Sequence, residues 1–143
     1  MGLDAVVYKN IENLPEPQRA QVKLVDPLTG ELDFVNGPTL TLRSEDLFAA
    51  EVRFGNISAV AWIREQIESR WADKCPLILN AILYSGTHSG DFISLEQVRG
   101  IKLEIAGLDC TEAQISAKLA TFLEQITQLI IASEIEANPI VFQ

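Results

Sequence analysis

In 143 residues there is one histidine, His88, and there are two cysteines, Cys75 and Cys110. Zinc centres draw on several histidine or cysteine ligands, so no metal site is expected. The cysteines follow neither a metal nor a redox spacing and are expected as buried, reduced thiols rather than a disulfide. Basic residues are scarce too: 11 lysines and arginines stand against 20 aspartates and glutamates, a formal net charge of −9. Nucleic-acid backbones and anionic membrane surfaces both require clustered cations, so neither is an expected partner. Long apolar runs are missing. "PLILNAIL" and "LIIA" fall well short of a membrane span. The opening "MGLDAVVYKN" carries an acid at Asp4 and no basic n-region, so a cytoplasmic location is expected. There is no repeat, low-complexity tract or Gly/Ser linker, which predicts a single globular domain over residues 1–143.

What is present suits a folded core: 48% of the residues are hydrophobic and 22% are charged. The first third reads as strands. Leu3–Tyr8 is short, apolar and β-branched, as a buried strand is. "AQVKLV" and "ELDFV" flank "DPLTG", whose Pro27 and Gly30 supply turn chemistry, so a hairpin is expected. "TLTLR" alternates Leu40 and Leu42 with threonines and reads as one further short strand.

From Ser44 the pattern reads as helical. Ser44, followed by Glu45 and Asp46, suits a helix start, with an end at Gly55 in the C′ position. Ser58 is expected to cap a second helix whose Val60, Ile63, Ile67 and Trp71 form one stripe. "CPLILNAILY" fits either a helix over 76–84, with Pro76 at N1, or a buried strand, and the helix is favoured. Ser94 with Gln97, and Thr111 with Gln114, match the capping-box pattern. The helix after Ser94 is expected to bury Val98, Ile101, Ile105 and Leu108. In the last helix Ile115, Leu119, Phe122, Leu123, Ile126, Leu129 and Ile130 form a wide apolar arc that ends near Asn138-Pro139. Such an arc serves as a central core helix or, less often, as a homodimer face. "PIVF" suits a final strand. The expected fold is α+β: a small, mostly antiparallel N-terminal sheet, with a C-terminal strand added, packed against four to five helices.

Chemistry-bearing residue types concentrate in "LYSGTHSGDFI". Ser85, Thr87, His88, Ser89 and Asp91 form the candidate binding loop, framed by Gly86 and Gly90. A serine nucleophile needs a base within hydrogen-bond reach, but Ser89 adjoins His88 and adjacent side chains diverge. There is no G-x-S-x-G elbow. One histidine with Asp91 is too few ligands for zinc, and no EF-hand pattern accompanies it. An anion would find no lysine or arginine between Cys75 and Arg99. The same residues serve a tight loop well, with the glycines at its corners in positive φ and the hydroxyls on loose backbone groups. No catalytic residue, cofactor or metal is therefore assigned. Elsewhere, Trp62 lies off its helix's apolar stripe, as a binding anchor or a packed edge residue would, and Arg64 is placed to pair with Glu68.

The segments "MGLDAVVY", "LYSGTHSGDFI" and "NPIVF" together resemble a group of small bacterial proteins, some of which are similar to immunity proteins of polymorphic toxin systems. They cover about a fifth of the chain and contain no motif of established chemistry. The resemblance implies a binder rather than an enzyme. Two functions are carried forward. One is a non-enzymatic protein-binding domain whose acidic surface meets a basic partner. The other is a small enzyme or ligand-binding domain centred on the Ser85–Asp91 loop.

Overall fold

A computed structural model describes residues 2–37, 39, 41–109 and 115–143. Its centre is a four-stranded antiparallel sheet built from β1 (Gly2–Tyr8), β4 (Phe48–Asn56), β5 (Phe92–Ile93) and β6 (Ile140–Phe142). Their order across the sheet is β4-β1-β6-β5, so β1 and β6 are the inner strands. The expected hairpin forms from β2 (Val22–Asp26) and β3 (Glu31–Phe34), but it stands apart as its own two-stranded sheet. The helices are α1 (Glu16–Arg19), α2 (Ile57–Trp71), α3 (Leu95–Ala106) and α4 (Ala117–Glu136), with a π-helical turn at Ile78–Ile82. The α+β class and the C-terminal strand agree with expectation.

β1 is apolar because both of its faces are covered. Leu3, Ala5 and Val7 point into a large core beneath the helices, together with Val52, Phe54, Ile63, Ile101, Phe122 and Phe142. Val6 and Tyr8 point the other way, into a smaller cluster with Val22, Leu32, Phe34, Leu42, Leu47 and Val141. A strand buried on both faces loses the alternation of a half-exposed one. α2 and α4 lie directly on the sheet, and α3 packs on α4. The expected arc of α4 is buried at Leu119, Phe122, Leu123, Ile126, Leu129 and Ile130.

The segment expected as a helix from Ser44 to Phe54 is instead a 3-10 turn, Ser44–Leu47, followed by strand β4. Ala50, Val52 and Phe54 lie on the side away from exposed Glu51 and Arg53, a period of two rather than 3.6, and Phe48, beyond a register shift, packs on Tyr8 at the other face. Gly55 ends no helix. The register between β1 and β4 shifts from Leu3↔Gly55 to Asp4↔Arg53, leaving Phe54 as the extra residue of a bulge. Gly55 takes φ 137° there. Asn56, not Ser58, caps α2, its Oδ1 accepting from the Ala59 amide at 2.8 Å.

"TLTLR" forms no strand among the described residues. Thr39 and Leu42 close a turn on each other, and Leu42 is buried under the hairpin side of the sheet. The capping box at Thr111–Gln114 lies outside the described residues, and Ser116 caps α4. The Ser94–Gln97 box forms as expected. α3 buries Val98 and Ile101, and Leu108 is buried just past its end.

Residues 76–82 are helical, resolving the ambiguity of that segment towards helix. The turn begins on the amides of Leu77 and Ile78, which donate to the two carboxylate oxygens of Glu104 at 2.8 and 3.0 Å. A carboxylate from α3 thus caps a helix start remote in sequence. Gly100 admits Leu77 onto α3, since a Cβ there would lie 2.4 Å from Leu77 Cδ1.

Candidate functional site

The Ser85–Asp91 loop leaves the π-helical turn and enters β5. Its end is strapped to β6: the Gly90 amide donates to the Phe142 carbonyl, and the Phe142 amide donates to the Asp91 carbonyl, both at 2.9 Å. Gly90 takes φ 94°, as a glycine corner should. Gly86 does not adopt a positive φ. Its missing side chain serves close packing, because a Cβ would sit 2.8 Å from Ile57 Cα at the start of α2. Ser85 Oγ donates to the Thr87 carbonyl at 2.9 Å and accepts from the Thr87 amide at 3.2 Å. That hydroxyl serves its own backbone. Thr87 and Ser89 are exposed.

His88 is the buried member, with 4% of its side chain exposed. Its ring stacks on Tyr84 with centroids 4.5 Å apart and meets Phe142 at 4.1 Å in a tilted arrangement. Nε2 donates to the Ile82 carbonyl at 2.8 Å, a contact that fixes a proton on that nitrogen. Nδ1 faces Asp91 Oδ2 at 3.4 Å without hydrogen-bond geometry. The Asp91 carboxylate accepts the Tyr84 hydroxyl instead.

His88 and Asp91 therefore stand in the order of the inner half of a triad, but the outer nitrogen is already occupied. A nucleophile would have to sit where the Ile82 carbonyl sits. Of the five candidate residues, His88 and Asp91 are brought together with Tyr84, Ser85 closes on Thr87, and Ser89 is exposed. The geometry makes the loop a clasp that ties the π-helical turn to β6. Cys75 is fully buried in the helical core, and Cys110 lies outside the described residues. Among the described residues no group of three or more His, Cys, Asp or Glu is placed to hold a metal ion. No helix among them is long and apolar enough to cross a membrane.

A second surface was not singled out from the sequence. On the β2–β3 hairpin, Leu24, Val25, Leu28 and Val35 are 45–70% exposed, with Leu28 at the tip the most open. Asp26, Glu31 and Asp33 stand among them, and Asp33 faces Lys23 across the ladder. Residues 10–35 hold five acids, Glu12, Glu16, Asp26, Glu31 and Asp33, against two bases, Arg19 and Lys23. Glu31 and Asp33 act on Tyr8 beneath the hairpin. Burial pushes the Tyr8 phenol above its ordinary 10.0, and the Glu31 carboxylate, then Asp33, push the same way, against a hydrogen bond from Gln143. The signal in the sequence was "VKLVDPLTGELDFV", which has more apolar residues than one face of a short hairpin can bury.

The hairpin is held rigidly at its turn. Asp26 accepts from the amides of Leu28 (side chain) and Gly30 (backbone), both at 2.8 Å. Gly30 takes φ 76° and lies against Asn138, where a Cβ would come within 2.5 Å of that side chain. Asn138 in turn donates to the Tyr8 carbonyl at 2.9 Å. Comparison of the chain with protein-family models, curated proteins and solved structures found no match.

Proposed function

We propose that this chain is a non-enzymatic, cytoplasmic protein-binding domain of the immunity or inhibitor kind, whose β2–β3 hairpin meets a basic partner. One observation carries the reading: Leu24, Val25, Leu28 and Val35 are exposed beside Asp26, Glu31 and Asp33 on a hairpin anchored at its turn. Exposed apolar side chains on a predominantly acidic surface combine burial energy with electrostatic steering. Anchoring the turn limits the ordering cost on association. The His88 clasp supports the same reading, since its Nε2 is committed to a backbone carbonyl.

The test is capture from a cell lysate at low and high salt, comparing the native chain with Val25→Ser/Leu28→Ser and with Glu31→Lys/Asp33→Lys. A basic protein should be retained by the native chain at low salt and released at high salt. Each double variant should weaken that retention by about tenfold or more, as the loss of two hot-spot contacts would. Capture that is indifferent to both variants, or no capture at all, overturns the proposal.

A further inference from the structure

β4 is a nine-residue strand at the edge of the four-stranded sheet. One side of it pairs with β1, and the other meets no strand among the described residues. An open edge of that length is a template for another strand unless something blunts it. Charge of one sign along the edge would do so by repelling a second copy. Here the two exposed charges have opposite signs, with Glu51 and Arg53 on either side of buried Val52. They stand opposite Val6 and Asp4 of β1, which places both on the hairpin face of the sheet. Arg53 has Asp4 at 3.6 Å, beyond hydrogen-bond length. Glu51 has no ion-pair partner among the described residues.

We infer that two copies of this chain associate edge to edge through β4, antiparallel about a twofold axis at Val52. The pleat and the charges together select that register. An antiparallel twofold keeps the same sheet face upward in both copies, so only residues pointing to the same face can stand opposite each other. An axis on Glu51 would set Glu51 against itself, and an axis on Arg53 would set Arg53 against itself. Either opposes like charges. An axis on Val52 sets Glu51 of each copy against Arg53 of the other.

The helical side suits the same arrangement. A groove of about 570 Å³ runs along the open edge between Ala49, Ala50 and α4. At its rim Ile131 and Ile135, off the buried arc of α4, are 54% and 69% exposed. α4 itself lies over β4 and β1. With paired strands about 4.8 Å apart, the twofold brings the two α4 helices to about 10 Å, an ordinary helix-packing distance.

The experiment is sedimentation equilibrium of the full chain from micromolar to millimolar concentration at physiological salt. There the net charge of −9 on each copy is screened beyond about 8 Å. The mass should rise from 15.8 kDa to twice that value. Amides of β4 that are not bonded to β1 should gain exchange protection over the same range. Glu51→Lys and Arg53→Glu should each weaken association by about tenfold or more, because each sets like charges opposite one another at two places. An equimolar mixture of the two variants should associate again, and so should the double variant Glu51→Lys/Arg53→Glu. A variant that merely failed to fold would not regain association on mixing. Ile131→Ser/Ile135→Ser should weaken the dimer by a similar factor. The hairpin variant Val25→Ser/Leu28→Ser should leave it unaltered, which separates this edge from the proposed partner surface. A mass of 15.8 kDa at every concentration, indifference to both single charge swaps, or a mixture that stays monomeric overturns the inference.

Discussion

The two faces of the central sheet are covered in opposite ways. One carries three long helices over a continuous core that includes Leu3, Ala5, Val7, Ile101, Phe122 and Phe142. The other carries, among the described residues, a two-stranded hairpin, short helical turns and loops over Val6, Tyr8, Leu32, Phe34, Leu42 and Val141. A lone hairpin is marginal in water, so β2 and β3 owe their order to what they cover. The helical side has enough surface to hide its apolar stripes. The hairpin side does not, and its surplus remains outside as Leu24, Val25, Leu28 and Val35. Stability is thus concentrated on one face and exposed contact surface on the other.

Three perturbations test that division. Phe122→Ala removes a fully buried ring from the helical core and should cost about 3–5 kcal/mol, read from the urea midpoint, with protection lost throughout the chain. Leu32→Ala on the hairpin side should cost about 2–3 kcal/mol, and the β2 and β3 amides should exchange faster than those of α2 and α4. Uniform exchange across both variants would show that the faces unfold as one. His88→Ala leaves the Ile82 carbonyl without its donor and a gap between Tyr84 and Phe142, for about 1–3 kcal/mol. Its local signature should be faster exchange at Gly90 and Phe142, the amides that strap the loop to β6.

The smallest effect is conditional on pH. Tyr8 has a folded-state pKa above 10.0, so its protonated form stabilises the fold fully below that value. The contribution is lost as pH rises through the folded pKa. Tyr8→Phe should therefore lose less stability than the native chain between neutral and strongly alkaline pH, measured by urea unfolding across that range. Removing Glu31 and Asp33 should move the native titration back toward 10.0.

Where local chemistry decided the structure, the sequence was legible. Pro27 and Gly30 marked the hairpin, Ser94 and Gln97 marked the start of α3, and the α2 stripe and the α4 stripe from Leu119 to Ile130 are buried as spaced, with Ile115 half-buried ahead of the helix. Where a neighbour decided it, the sequence was silent. β4 looked helical because Ser44, Glu45 and Asp46 do begin a turn, but pairing with β1 then carries the chain into a strand. Glycine roles were half legible. Gly90 needs its positive φ, whereas Gly86 and Gly100 exist to admit Ile57 and Leu77, which no local pattern announces. The same holds for the candidate loop. Its turn chemistry was visible, but the partners of His88 were not, since Phe142 and Ile82 reach it only through the fold.

The placement of β6 between β1 and β5 carries a kinetic consequence. Ala5 pairs with Phe142, so the two inner strands meet only after a loop spanning nearly the whole described chain has closed. Contacts of such separation are entropically late, and domains that depend on them fold slowly. β5 has no partner among the described strands other than β6, and the His88 clasp closes on Phe142. The helices can acquire order early from neighbours in sequence. The clasp waits for the sheet, and its closure should report the last step of folding.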